Sequence, residues 1–140
     1  MVGILLVTHL DFGKKLLQVA ELIMGKQQLC EALSIEAFSS MEEILGDIQM
    51  SVKELDVGEG VLILTDMFGG TPSNLSFSLL KSHNLEVITG VNLPMLLKIF
   101  SNRKLPLKEL AAEAKTAGKQ GIRIAGEVLN RKVRVNGISD

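Results

Sequence analysis

Residues 60–74, GVLILTDMFGGTPSN, contain a strand, a tight turn and a helix start in one short stretch. The dense β-branched and leucine run up to Thr65 is cut off by the polar Asp66, which is typical of a buried strand that ends at the edge of a sheet. A glycine turn follows, and Thr71 and Pro72 then suit the N-cap and the first position of a helix. The stretch therefore predicts one strand–turn–helix unit of an α/β fold.

The same alternation runs through the rest of the chain. Apolar runs with strand character cover residues 1–8, 30–35, 60–66 and 85–90. Between and after them, apolar spacings of three and four predict helices at 12–24, 41–55, from 71, from about 94, and across 105–130 with possible breaks at Gly118 and Gly121. Such alternation predicts a mainly parallel, doubly wound sheet with helices on both faces.

The C-terminal stretch RKVRVNG, residues 131–137, has a different pattern. Its charged and amide residues alternate with Val133 and Val135. Because the side chains of a strand point alternately to its two faces, this pattern predicts an edge strand, or a strand exchanged between the subunits of a dimer.

The composition is that of a single globular domain over residues 1–140. Hydrophobic residues make up 46% and charged residues 22% of the chain, and a chain of this length buries roughly 70% of its unfolded surface. The formal net charge is -1, and Trp and Tyr are absent. The chain therefore has neither the basic surface nor the aromatic platforms that favour nucleic acid as a partner.

Signals for cofactors and for transport across a membrane are also missing. Cys30 is the only cysteine, so we expect no internal disulfide, and no Cys or His cluster suggests a metal site. Neither GxxxxGK[ST] nor GxGxxG is present, which argues against a nucleotide or dinucleotide cofactor. The first apolar run lacks a positive leader and is too short to span a membrane, so we expect a soluble cytoplasmic protein.

Polar residues follow the first and third predicted strands. His9 ends the first apolar run and Asp66 ends the third. In a parallel sheet these carboxyl ends lie at the same edge, where α/β folds bind ligands. A carboxylate beside a histidine fixes the tautomer, leaves the other ring nitrogen free as a nucleophile and stabilises the imidazolium that forms on transfer. We therefore predict His9 as the nucleophile and Asp66 as its hydrogen-bond partner.

The helix start beside this pair predicts an anion site. Helix N-termini carry unpaired N–H groups and a partial positive charge. Thr71 would add a hydroxyl donor, and Gly69 and Gly70 would let the backbone approach the ligand closely. Since no nucleotide motif is present, we expect the anion to be a phosphoryl group.

Partner proteins would meet this site at its rim. The predicted rim residues, most of them apolar and able to exclude water, are Phe12, Met67, Phe68 and Asn92.

Simpler interpretations of the same residues remain open. His9 could be an ordinary turn histidine, Asp66 a turn former before glycines, and Thr71 no more than a cap. His83 lies between a helix and a strand with no acid or glycine turn around it, so we predict a solvated helix cap there. Cys30 lies in an apolar strand and is expected to be a small core residue.

Three blocks of sequence together resemble one protein family. ILLVTH at 4–9, GVLILTDMFGGTPSN at 60–74 and EVITGVNLPMLL at 86–97 resemble the enzyme IIA domains of the mannose family of the bacterial phosphoenolpyruvate sugar phosphotransferase system. The resemblance covers nearly the whole chain. It implies a flavodoxin-like fold and a homodimer that exchanges a C-terminal strand.

The resemblance also implies a function for the predicted site. His9 would accept a phosphoryl group from the histidine phosphocarrier protein HPr and pass it to an enzyme IIB domain, with no metal or cofactor in this domain. Asp66 matches the family's aspartate that hydrogen-bonds the histidine, and Thr71 matches its hydroxyl residue at the helix start. The membrane would be involved only through permease subunits.

The sequence departs from the family at three positions near the site. The family usually has glycine after the histidine, whereas this chain has Leu10, for which a left-handed backbone would cost roughly 1 to 2 kcal/mol. Phe68 stands where Trp is common, and Thr71 replaces a frequent Ser.

Several other functions are compatible with these patterns. A receiver-like domain would use Asp66 as the phosphoacceptor, but it would need magnesium-binding acids where Thr8 and His9 stand. A regulatory module could be read out by its phosphorylation state without transporting anything. The phosphotransfer subunit of a dihydroxyacetone kinase would have a similar domain with a different acceptor.

Overall fold

Strands and helices alternate along most of the chain. The computed structural model describes residues 1–81 and 83–135. In chain order the elements are β1 (Gly3–His9), α1 (Phe12–Met24), β2 (Cys30–Ile35), α2 (Met41–Leu55), β3 (Val61–Thr65), α3 (Thr71–Phe77), β4 (Leu85–Thr89), α4 (Leu93–Phe100), α5 (Leu107–Gln120) and α6 (Ala125–Val135). The predicted strands are confirmed within two residues at each end. No helix among the described residues has the length and apolar character needed to cross a membrane.

The four strands form one parallel sheet in the order β2-β1-β3-β4. Helices α1, α4 and α5 pack on one face, and α2 and α3 pack on the other. The central strands β1 and β3 are covered on both faces, which explains why their sequences are continuous apolar runs. The predicted doubly wound α/β fold is therefore confirmed.

The sheet register brings the ends of β1 and β3 together. Val7 pairs with Thr65 across these two strands, and His9 pairs with Ile35 across β1 and β2. Since the strands are parallel, the residue that follows β3 emerges at the same edge as the end of β1. This register places His9 and Asp66 side by side.

Two predicted helix boundaries are confirmed by their local contacts. The Ser40 hydroxyl accepts a hydrogen bond from the Glu43 backbone N–H at 3.1 Å, as expected for a capping box that begins α2. The break predicted in the long C-terminal helical pattern lies at Gly121, where α5 ends. A Cβ on Gly121 would lie 2.4 Å from the Pro94 ring, so only glycine fits there.

The predicted N-cap of α3 is wrong by one residue. Gly70 is the N-cap, with an extended backbone, and Thr71 and Pro72 are the first two helical residues. The Ser73 hydroxyl accepts from the Gly69 N–H and donates to the Gly70 carbonyl, both at 3.0 Å. This hydroxyl links the turn to the helix start, so Thr71 is not needed as the cap and its side chain is available to the site.

The prediction of a C-terminal strand is also wrong for the described part of the chain. Residues 131–135 continue α6 instead of forming an edge strand, while 136–137 lie outside the described residues. The physical reason is that a strand needs a neighbouring strand for its backbone hydrogen bonds, whereas a helix forms them within itself. The alternation at Val133 and Val135 is too short to outweigh the helix that begins at Ala125.

Candidate active site

His9 and Asp66 are in direct contact at the carboxyl edge of the sheet. The Nδ1 atom of His9 lies 2.7 Å from Oδ2 of Asp66, and the His9 backbone N–H donates to the same oxygen at 3.0 Å. The histidine side chain is 49% exposed, whereas that of Asp66 is 16% exposed. The carboxylate therefore fixes the position of the histidine through Nδ1, and about half of the histidine side chain stays exposed.

The hydrogen bonds to Asp66 keep its carboxylate charged. Burial on its own would raise the pKa of this carboxyl, but the bonds from the ring and backbone of His9 outweigh burial and hold the pKa below its ordinary value of 3.8. The second oxygen, Oδ1, accepts from the Met67 N–H at 3.1 Å. Because an ionised carboxylate can only accept, Nδ1 of His9 donates the hydrogen bond, and in the neutral ring the lone pair is on Nε2.

The backbone at Gly70 packs against the free side of the ring. A Cβ at this position would lie 2.9 Å from Cε1 of His9 and 3.4 Å from Nε2. Carbon atoms in contact are normally about 3.5–4.0 Å apart, so a glycine is required for this close approach. Gly69 has a left-handed backbone, φ +90°, with open space where a side chain would be.

Thr71 shares a cavity with the histidine. The cavity has a volume of about 410 Å³ and is lined by His9, Leu10, Ile35, Glu36, Ala37, Ser39, Met41, Ile44 and Thr71. The loop between β2 and α2 forms its far wall. Thr71 is thus near the ring as the sequence predicted, although no hydrogen bond joins their side chains among the contacts of the described residues.

The predicted rim residues divide into two groups. Phe12, Met67 and Phe68 are 49%, 52% and 73% exposed, and apolar side chains this open are available to a partner surface. Asn92 instead uses both atoms of its amide in the fold. Its Oδ1 accepts from the Met95 N–H at 3.0 Å and its Nδ2 donates to the Gly118 carbonyl at 2.9 Å, so a role for Asn92 at the rim stays a prediction.

Two contributors to the site were not predicted from the sequence. The β2–α2 loop adds Glu36, Ala37 and Ser39 to the cavity wall, and the start of α2 adds Met41, which is 60% exposed. No sequence signal indicated this loop, because it lies beside the histidine only through the pairing of His9 with Ile35, which is set by the sheet register. Thr8 is completely buried, and its hydroxyl accepts from the Gly13 N–H at 2.8 Å, which ties the end of β1 to the first turn of α1.

The other residues that the sequence singled out lie away from this edge. His83 precedes β4 and therefore lies at the amino edge of the sheet, opposite His9. Cys30 is only partly buried and packs against the edge of the core, and burial raises the pKa of its thiol to about 12. Among residues 1–81 and 83–135, no group of three or more His, Cys, Asp or Glu side chains could hold a metal ion.

Comparison with known families identifies this arrangement. A family model described as the PTS system fructose IIA component, EIIA-man, matches residues 3–115. The chain belongs to the EIIA-man family. It is therefore a component of the phosphoenolpyruvate-dependent sugar phosphotransferase system, in which IIA components are phosphotransferases.

Individual relatives of this EIIA-man chain agree with that assignment. It is 28% identical to the PTS system fructose-specific EIIA component of Bacillus subtilis (strain 168), covering 97% of this chain and 94% of that protein. It is 31% identical to the PTS system mannose-specific EIIAB component of Escherichia coli (strain K12), covering 87% of this chain but only 39% of that protein. A crystal structure of phosphotransferase system component EIIA from Streptococcus agalactiae is similar with a TM-score of 0.82 at 27% identity, covering 91% and 99% of the two chains.

Proposed function

We propose that Nε2 of His9 accepts a phosphoryl group from phospho-HPr and passes it to an enzyme IIB domain during sugar uptake. The observation that carries this proposal is the 2.7 Å contact between Nδ1 of His9 and Asp66, because a proton held on Nδ1 leaves the lone pair of Nε2 free in the neutral ring. A histidine with the opposite tautomer would present a proton instead of a lone pair to the phosphorus atom.

The proposed transfer is a displacement in which one P–N bond forms as another breaks. The Nε2 lone pair attacks the phosphorus, and the histidine of HPr leaves with the electrons of its P–N bond. The proton of His9 stays on Nδ1 throughout, and the charge of Asp66 stabilises the positive ring that results. In the second step, the acceptor group of the IIB domain attacks the phosphorus and His9 returns to its neutral form.

The residues around the ring have supporting roles in this proposal. Thr71, Gly69 and Gly70 would contact the phosphoryl oxygens. The close approach of Gly70 to the ring and the cavity that Thr71 shares with His9 support this assignment. The exposed side chains of Phe12, Met67 and Phe68 would exclude water and meet the partner protein. A single IIA domain over residues 1–140, a homodimer and a cytoplasmic location are parts of the same proposal.

Phosphorylation of Asp66 is a weaker alternative. Its Oδ2 accepts two N–H groups of His9, and its Oδ1 accepts the Met67 N–H. An acyl phosphate on either oxygen would have to displace these donors. The geometry therefore favours the histidine over a receiver-like aspartate.

The proposal is tested by labelling with phosphoenolpyruvate, enzyme I and HPr. We expect the wild-type chain and a His83→Ala control to become labelled, with a linkage that survives base as a phosphohistidine does and an acyl phosphate does not. His9→Ala should show no label, and Asp66→Asn should be labelled roughly 10²- to 10⁴-fold more slowly because the tautomer is no longer fixed. Full labelling of His9→Ala would refute the proposal.

A further inference from the structure

Leu10, directly after the histidine, has a backbone conformation that leucine rarely adopts. Its φ is +46°, in the left-handed region that glycine occupies without strain. Its N–H donates to the Ile35 carbonyl at 3.0 Å, which fixes this conformation. The side chain is 57% exposed, so packing within the free protein compensates for little of the strain.

The surroundings of Leu10 are apolar and open. It lines the same cavity as His9, and the cavity floor includes Ile35 and Ile44, each only 8% exposed. Nearby, Met41 is 60% exposed at the same cavity. Exposed apolar side chains grouped beside a reactive atom are typical of a protein-binding surface.

We propose that the Leu10 side chain is a docking contact for the phosphoryl donor protein and becomes buried when that protein covers His9. This inference rests on the proposed function. A donor that places its phosphoryl group in line with Nε2 of His9 must come into contact with the residues that flank the ring, and Leu10 is the next residue in the chain. Strain at an exposed position beside a reactive group is explained if the side chain is used in the complex.

The size of the effect follows from the exposed fraction. Burying the remaining 57% of the leucine corresponds to roughly a 4- to 18-fold change in affinity. A contact made equally in the ground state and the transition state changes KM and leaves kcat alone. We therefore expect the loss of Leu10 to appear in KM for phospho-HPr.

The experiment compares Leu10→Ala with Leu10→Gly in steady-state transfer from phospho-HPr. Alanine removes the side chain but keeps the strained backbone, whereas glycine removes both. We expect both variants to raise KM by a similar factor, roughly 4- to 18-fold, with kcat within about twofold of the wild type. Leu29 provides the matched control. It is the other described non-glycine residue with positive φ, +47°, and it lies at the opposite edge of the sheet from His9. Leu29→Gly should therefore leave KM for phospho-HPr unchanged.

The other outcomes each contradict the inference. An unchanged KM in Leu10→Ala would show that the side chain does not contact the donor. A change in Leu10→Gly alone would assign the effect to the backbone, and a fall in kcat at constant KM would mean that Leu10 acts on the histidine itself. Labelling of His9→Ala would refute the proposed function, whereas unlabelled His9→Ala together with unchanged Leu10 variants would refute only the role of Leu10.

Discussion

Replacement of Gly70 by alanine should impair phosphoryl transfer without unfolding the protein. Gly70 has φ −90° and ψ 172°, an extended conformation that alanine adopts without strain. The new Cβ would nevertheless lie 2.9 Å from Cε1 of His9. The substitution therefore acts on the histidine ring and not on the local backbone.

The expected magnitude follows from this distance. Carbon atoms in contact prefer about 3.5–4.0 Å, so the ring must move away by roughly 0.5–1 Å. The ring is held by its 2.7 Å bond to Asp66, and any such movement strains that bond. Since a misplacement of about 1 Å can reduce a rate by roughly 10²-fold, we expect labelling from phospho-HPr to slow by about 10- to 100-fold.

The assay measures the initial rate of labelling together with thermal unfolding. Gly46→Ala is the matched control, because Gly46 lies within α2 and a Cβ there meets no atom within 4 Å. This control should label at the wild-type rate and gain about 0.5–1 kcal/mol of stability from the removal of a helical glycine. Gly70→Ala should unfold within a few degrees of the wild type.

Two results would refute the reasoning about Gly70. A Gly70→Ala variant that labels at the wild-type rate would show that the ring moves without consequence or that transfer does not depend on its position. A loss of activity matched by a large fall in the unfolding temperature would mean that the substitution damages the fold instead of the histidine.

Two further predictions concern stability. The pKa of Asp66 is lowered in the folded protein, so its contribution to the free energy of unfolding should be complete above the unfolded pKa of 3.8 and should be lost as the pH falls through the lower folded pKa. Denaturant titrations across this pH range should show an acid-dependent loss of stability in the wild type that is absent in Asp66→Asn. Parallel pH curves for the two proteins would contradict the lowered pKa. Thr8→Val should lower the free energy of unfolding by about 1–3 kcal/mol, because the buried Gly13 N–H loses the hydroxyl that accepts its hydrogen bond at 2.8 Å. Thr8→Ser keeps this hydroxyl and should retain most of the stability. Equal losses in the two variants would assign the effect to packing.

Sequence patterns that report burial and local hydrogen bonding predict most of this fold. Continuous apolar runs identified the strands of the sheet, and apolar spacings of three and four identified α2. The tail at 131–135 was assigned wrongly because a short alternation is compatible with either a strand or a helix face, and the choice depends on whether a neighbouring strand is present. Thr71 was assigned wrongly as a cap because Gly70 also suits that position.

The sequence by itself determined the α/β class and the meeting of His9 and Asp66 at one edge, since strand ends can be located from local patterns and parallel strands share a carboxyl edge. Only the tertiary structure decided which ring nitrogen is free, that Gly70 packs against it, and that the β2–α2 loop completes the site. These features depend on differences of a few tenths of an ångström in the distances between atoms from separate strands and loops. Such distances are set by sheet register and loop conformation, and periodicity along one segment carries no information about either.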